Sequence, residues 1–404
     1  MSAAGKPDLG APARSDSNQG ALMSRLSTLS AARPALAAFA AMGLLWGSFA
    51  ADLPDIKTML GIDESQLGLL MFMTPIAAIS AMLVAPAAGV AFGRWALPIS
   101  TALMCVAFVL PGQTANLWLF PLAMMAAGAG TGLTDVLMNA RVAALENTRR
   151  MPLMNLCHAA YSFGYAAGAI ATGALRSAGW PPSAVLLAMA LAAAVLSLAT
   201  IEADGRIEGL QRPKGPGAAH LGWVPVIGGA MVLIAFLTEN AAENWSALHI
   251  EKTLGGSPAS GAMGPAIMAI TMGVARLFGQ GLAQRVAAVW LLAGGAAISA
   301  AGALTAAMAV NPAMAYAGFI VMGIGSSVIA PTAFSLVGAR ANPQARARAV
   351  ARATLYGYFG YFVGPPLVGF IAGSFGLRFA FVFAAVMLAG IPVLARILLR
   401  ARPV

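Results

Sequence analysis

Long apolar stretches, separated by short polar breaks, run almost without interruption from Pro34 to the C-terminus. A hydrocarbon core about 30 Å thick takes roughly 20 helical residues to cross. Twelve stretches meet that requirement, near residues 34–54, 67–92, 95–114, 117–143, 155–177, 181–201, 222–246, 258–284, 286–309, 313–338, 349–373 and 378–399. In lipid the backbone must satisfy its own hydrogen bonds, so these stretches predict helices and not strands. The expected fold class is an all-α membrane protein of twelve transmembrane helices.

Composition agrees with the pattern. The hydrophobic fraction is 59% and charged residues are only 9%, where a soluble chain carries about 25% charge. The net charge of +10 would suit a nucleic-acid partner, but the positions of the charges argue otherwise. With loops alternating sides from a cytoplasmic N-terminus, all 24 Lys and Arg except Lys57, Arg176, Lys252 and Arg378 fall on or near the cytoplasmic side. That is the positive-inside bias. It predicts an even number of spans, both termini cytoplasmic, and no nucleic-acid partner. The expected location is a bacterial inner membrane. Cys105 and Cys157 sit at membrane depth and do not form a disulfide framework.

Residues 1–33 are rich in Ser, Ala, Gly and charge and are expected to form a disordered cytoplasmic tail. The polar leader is too long, and the apolar run after it exceeds a usual signal-peptide core, so cleavage is not expected. The longest polar break within the apolar region, 202–221, divides the spans six and six. The expected bundles are therefore 34–201 and 222–404, joined by a cytoplasmic central loop. The halves share a pattern. Gly164-Tyr165, Gly168 and Gly173 recur as Gly360-Tyr361, Gly364 and Gly369, each 196 residues on, and Gly128 and Gly130 recur 195 residues on as Gly323 and Gly325. Small residues let helices pack closely wherever they stand. Packing alone does not explain the same spacing at the same offset. Duplicated six-helix halves are the architecture of major facilitator transporters, whose site lies between the halves near the midplane.

Several segments resemble one branch of that superfamily, the YbjJ-like and MosC-like (rhizopine-locus) membrane proteins, related more distantly to fucose–proton symporters. The residues that carry the resemblance are Trp46 with Leu53-Pro54-Asp55-Ile56, and Asp135 to Asn139 with Glu146. To these are added Pro152-Leu153-Met154 with His158 to Gly164, Glu239 with Trp245 to Leu248, and Gly357 to Gly360 with Gly364-Pro365-Pro366. The resemblance covers residues 35–400 and implies two pseudo-symmetric six-helix bundles. There are departures: Asp52 stands where the family often has Arg, Asn244 where it has Asp, and Gln280 replaces an acid between spans eight and nine.

An ionisable group inside a span costs a few kcal/mol and asks for a reason. Asp135 lies well inside the fourth span with Asn139 one turn further on the same face. It is either a proton or substrate site, or a structural partner for Asn139 and His158 across the hairpin to the fifth span. His158 can switch charge near neutral pH, or it can hold a helix pair together. Glu239 and Glu243 stand one turn apart in the outer half of the seventh span, with Asn240 and Asn244 interleaved. Two acids so close repel when both are ionised, so one tends to keep its proton. The expected proton-coupling or substrate residues are thus Asp135, Glu239, Glu243, Asn139 and His158.

The expected substrate cavity adds Trp46, Asp52, Tyr161, Tyr165, Asn240, Trp245, Tyr358 and Tyr361. Trp245 either stacks on a solute or anchors at the outer interface, and the tyrosines offer hydroxyls or fill the core. Asp52 and Asp55 are expected as vestibule charges, and Arg276 is expected to snorkel or cap a helix end near the cytoplasm.

No phosphate-binding loop, nucleophile constellation or metal-ligand cluster is present in the sequence, and His220 and His249 fall on opposite sides of the membrane. The chain is expected to need no cofactor and not to be an enzyme. The reading is a secondary active transporter, monomeric and proton-coupled, whose resemblance implies a sugar-, cyclitol- or polyol-like solute. An exporter of amphipathic or cationic compounds and a non-transporting membrane sensor are the alternatives.

Overall fold

The computed structural model describes residues 14–149, 153–207, 210, 221–283, 285–342 and 345–400. It consists of helices α1 (Arg14–Leu60), α2 (Glu64–Met71), α3 (Met73–Phe92), α4 (Ala96–Val109), α5 (Leu119–Arg149), α6 (Met154–Ser177), α7 (Pro182–Ser197), α8 (Val224–Leu248), α9 (Pro258–Ala283), α10 (Ala288–Ala307), α11 (Pro312–Arg340), α12 (Arg346–Phe375), α13 (Leu377–Ala389) and α14 (Ile391–Arg400). No strand occurs among the described residues. Phe72 joins α2 to α3 and Gly390 joins α13 to α14, both with helical backbone angles, so the fourteen segments make twelve spans.

Among the described residues, ten stretches are long and apolar enough to cross a membrane by length and hydropathy. One of them, Glu64–Gln113, holds two spans, because Gly93 takes φ 57° and turns the chain between α3 and α4. A side chain is strained at that angle, which is why glycine stands there. The twelfth span is α6, whose His158, Ser162 and tyrosines make it less apolar than the rest. Its polar residues are held inside, where α6 packs on α1 and α9, while Phe163 and Ile170 on its outer side stand exposed.

The polar breaks hold the caps. Asp63 accepts from the Gln66 N–H at 2.8 Å while its own N–H donates to Gln66 Oε1, starting α2. Asn311 caps α11 by accepting through Oδ1 from the Met314 N–H at 2.9 Å. Glu146 at the end of α5 accepts from the N–H groups of Leu153 and Met154, at 2.6 and 2.8 Å, and so caps α6 across the hairpin.

The repeated glycines lie at equivalent helix contacts in the two halves. A Cβ on Gly164 would overlap the Ala40 carbonyl of α1, and one on Gly360 the Leu233 carbonyl of α8. Gly130 packs on Met104 of α4, and Gly325 on Ser299 of α10. The pairs α1–α6 and α4–α5 of the first half therefore correspond to α8–α12 and α10–α11 of the second. Between the halves α6 packs on α9, α2 on α12 and α1 on α8. Alanines 50, 51, 166, 169, 262, 266 and 269 bring the helices of this seam close together. Trp95, Trp118, Trp180, Trp223 and Trp290 stand exposed at or beside span ends, as interfacial anchors do.

Helix α1 begins at Arg14, so residues 14–33, expected as a disordered tail, are helical. The stretch before Pro34 holds a single glycine, Gly20, and no proline from Arg14 onward, which leaves little to break a helix already nucleated by the span behind it. Residues 1–13 and the expected charges Arg150, Arg212, Lys214 and Arg402 lie outside the described residues, as do Pro152 and His220.

Overpacking the repeated contacts should destabilise both halves alike. Gly164→Val and Gly360→Val are each expected to cost about 2 kcal/mol or more, read as lower thermal stability of the purified protein. Gly294→Ala, where a Cβ meets nothing within 4 Å, should change it little.

Candidate functional site

A cavity of about 580 Å3 lies between the halves. Its first-half wall comes from α1 (Met42, Trp46), α3 (Thr74, Met82), α5 (Thr131, Asp135) and α6 (Asn155, His158, Tyr161, Tyr165). Its second-half wall comes from α8 (Phe236, Glu239, Asn240, Glu243, Asn244), α9 (Arg276), α11 (Ser327, Thr332) and α12 (Tyr358, Tyr361). A site of this size, mostly apolar with a few convergent polar groups, is the usual form of a small-molecule pocket.

Asp135 is held from both halves. Asn139, one turn on, donates through Nδ2 to Asp135 Oδ1 at 3.1 Å, and the Tyr358 hydroxyl donates to Oδ2 at 3.1 Å from α12. Asn139 does not line the cavity itself, and its second contact is with the Asp135 carbonyl at 2.9 Å. His158 faces the cavity edge-on to Phe39, ring centroids 5.1 Å apart, with no hydrogen bond to Asp135 or Asn139 described.

Glu239 pairs with Arg276, whose guanidinium donates to Oε1 at 3.3 Å. This corrects the expectation for Arg276, which neither snorkels to the cytoplasm nor caps a helix. Pairing with an acid on α8 meets the cost of a cation in the span, and the side chain turns inward to reach it. Glu243 lines the cavity one turn along, without a hydrogen bond among the described residues. The Asn240 Oδ1 and Tyr165 hydroxyl oxygens are buried and without a partner among the described residues. Both residues line the cavity. Unpaired buried polar atoms are costly, and a hydrogen-bonding ligand would satisfy them.

Aromatic rings frame these groups. Trp46 donates its Nε1 hydrogen to Thr131 Oγ1 at 3.2 Å and meets Phe108 edge-on at 5.0 Å. Opposite, Phe236 and Tyr361 stack at 4.8 Å. Tyr161, Tyr165, Tyr358 and Tyr361 all line the cavity, whereas Tyr356 packs on Gly229 away from it.

Two expected cavity residues lie elsewhere. Trp245 is fully buried against Gly369, so it neither reaches the cavity nor sits at an interface. Asp52 is fully buried beside Arg176, 3.6 Å from Nε, in a cluster with Asp55 and Glu251 beyond the closed end of the cavity. It is not an open vestibule charge, because the seam between halves is shut there. Thr131, Asn155 and the Arg276 pair were missing from the expected site. An arginine deep in an apolar run was the signal for Arg276, since it needs a counter-charge and Glu239 and Glu243 were the acids at hand. For Arg176 and Glu251, at span ends, the sequence carries no signal that they meet.

Three comparisons bear on what this arrangement is. The family model described as Major Facilitator Superfamily matches residues 35–240 and 227–404. An uncharacterised MFS-type transporter of Yersinia pestis is 30% identical over 370 residues, covering 90% of this chain and 94% of that protein. Membrane protein MosC of Rhizobium meliloti is 25% identical over 346 residues, 84% of this chain and 83% of MosC. Among solved structures, the nucleoside transporter NupG shares the fold at a TM-score of 0.74 and 14% identity, over 93% of this chain and 99% of that one.

Removing one partner of the Glu239–Arg276 pair should cost more than removing both. Arg276→Met is expected to destabilise by about 2 kcal/mol, and the Arg276→Met/Glu239→Met protein by less. Thermal unfolding of the three proteins in one detergent checks it.

Proposed function

The chain belongs to the Major Facilitator Superfamily, and on that footing we propose that it is a proton-coupled carrier of a small hydroxyl-rich solute, working by alternating access. It is a multi-pass membrane transporter and not an enzyme; the solute and the coupling are our reading. Asp135 carries that reading, because its carboxylate is bonded by a group from each half. Protonation of Asp135 removes one acceptor and adds a donor, and so changes the link to Tyr358. A proton bound there thereby alters how the halves hold each other, which is what coupling requires.

Hydroxyl recognition is supported by the wall. Tyr165, Asn240, Asn155 and Thr131 present donors and acceptors, and Trp46 offers an aromatic face of the kind that covers the apolar side of a sugar ring. The transporter of the same fold is named for nucleosides, and the site here would suit a sugar, cyclitol or polyol. One observation favours a second reading. With Glu239 paired to Arg276, Asp135 and Glu243 leave the cavity acidic, which would also suit an exporter of amphipathic cations.

By the positive-inside distribution we place the termini and the central loop in the cytoplasm of a bacterial inner membrane. The end carrying Asp55, Arg176 and Glu251 is then the exterior. Ser65 Oγ donates to the Gly369 carbonyl at 3.4 Å, and Arg176 donates to Glu251, at that same end. The described state is thus closed outside. We take the working unit to be a monomer, since both walls of the cavity come from one chain.

In proteoliposomes, Asp135→Asn should abolish accumulation driven by a pH gradient while leaving folding and counterflow intact. Wild-type accumulation in that variant would make Asp135 structural. Thermal shift separates the two solute classes, since a ligand at a hundredfold excess over its Kd stabilises the folded state by about 2.7 kcal/mol. Sugars, cyclitols and other polyols are expected to stabilise, and lipophilic cations alone would point to export.

A further inference from the structure

The fully buried Arg176 side chain is the centre of the closed end. A guanidinium has five N–H groups, and here every one is used. Nε donates to Asp55 Oδ2 at 2.8 Å and NH2 to Asp55 Oδ1 at 2.7 Å. NH1 donates to the Ala51 carbonyl at 2.7 Å and to Glu251 Oε1 at 2.7 Å, and NH2 also donates to Glu251 Oε2 at 3.0 Å. Asp55 and Ala51 belong to α1, in the same half as Arg176. Glu251 lies on a π-helical turn, His249–Thr253, that continues α8 in the other half. The bidentate Arg176–Glu251 contact is therefore a bond across the seam.

Asp52 is the odd member. Its side chain is fully buried, it stands 3.6 Å from Arg176 Nε, and neither carboxyl oxygen has a hydrogen-bond partner among the described residues. The charged groups that face it are Arg176 from α6, Asp55 from its own helix and Glu251 from the π-helical turn. Lys252, next to Glu251, is exposed. Residues 258–262 of α9, which pack on this corner, and the whole of α7 carry no ionisable side chain; the ionisable groups of α5 lie at Asp135 and beyond, and Glu243 of α8 faces the cavity. One cation thus answers three acids. Asp55 and Glu251 hold it by paired bonds, which leaves no donor for a third carboxylate.

We propose that Asp52 is a proton-binding site that latches the exterior gate, separate from Asp135 in the central cavity. With the gate closed, an ionised Asp52 would be a buried anion without a donor, whereas its neutral carboxyl avoids that cost. When the halves part, Glu251 leaves and frees an N–H on each of NH1 and NH2. Arg176 then turns to Asp52 as its second counter-ion. The Asp52 O–H bond breaks, the proton passes to water in the opened vestibule, and Arg176 stays charged throughout. Acidity at this end therefore favours the closed gate and alkalinity the open one. The inference rests on alternating access but not on the identity of the solute.

The test reads the gate directly and needs no transport. Spin labels are attached through Thr58→Cys and Lys252's exposed neighbour Thr253→Cys, with the buried Cys105 and Cys157 replaced by Ala, in the full chain in lipid nanodiscs. Electron–electron resonance distances are measured between about pH 5 and about pH 9. A short distance at low pH that gives way to a longer one as pH rises is expected. Asp52→Asn, and as a second neutral replacement Asp52→Ser, should lose that shift and keep the short distance throughout. Glu251→Gln should show the long distance even at low pH. A parent protein with one unchanging distance would overturn the proposal, as would a full pH shift retained in both Asp52 variants. So would a Glu251→Gln protein that stays closed. Loss of sugar transport with the pH shift intact would count against the carrier reading alone.

Discussion

Hydrocarbon offers nothing to a polar group, and the arrangement of this molecule follows from that. Backbone amides are satisfied within helices, and polar side chains have nowhere to go but between them. Apolar side chains such as Leu83, Val106, Leu191 and Val386 cover the outside. Asp135, Glu239, Arg276 and Arg176 lie inside the bundle, where each meets a polar partner: Tyr358 for Asp135, Arg276 for Glu239 and Glu251 for Arg176. His158, Tyr161 and Tyr165 of α6 likewise face the cavity, where α6 packs on α1 and α9. A transport pathway is thus the one part of a helical membrane protein where such residues are tolerated at low cost.

The two halves repeat a scaffold but not a chemistry. Gly164 of α6 against α1 and Gly360 of α12 against α8 allow the same close approach, and Gly130 and Gly325 allow another. Yet Ala330 stands at the position equivalent to Asp135, and Ala372 at the one equivalent to Arg176. Helix contacts are preserved because any side chain larger than hydrogen would force the backbones apart. Functional groups are free to differ, because each needs only a partner, which comes from the same half for Glu239 and from across the seam for Asp135 and Arg176. Tyr358 for Asp135 and Glu251 for Arg176 are both supplied by the opposite half.

Local partners were legible in the chain and distant ones were not. Asn139 was expected beside Asp135 because four residues of helix place them on one face, and it donates to that carboxylate. The same reasoning set Glu239 and Glu243 side by side, and both line the cavity. Trp245 and Asp52 follow the same α-helical spacing on their own helices, but spacing says nothing of which neighbour a face meets. Trp245 turned to Gly369 and Asp52 to Arg176. From its place in the span Arg276 is expected to snorkel or cap a helix end near the cytoplasm, whereas a counter-ion on α8 holds it inward.

What the sequence by itself determined is the solvent, the number of spans and their duplication. Each of these depends on hydropathy, on turn and cap residues and on spacing along a single chain, which are local properties. The tertiary structure decided which polar residues share the cavity, which are sealed behind Arg176, and at which end the halves are closed. Those outcomes depend on the rotation, tilt and approach of helices far apart in the chain. An unpaired charge in a span states only that it must have a partner, and the packing of the helices selects which one.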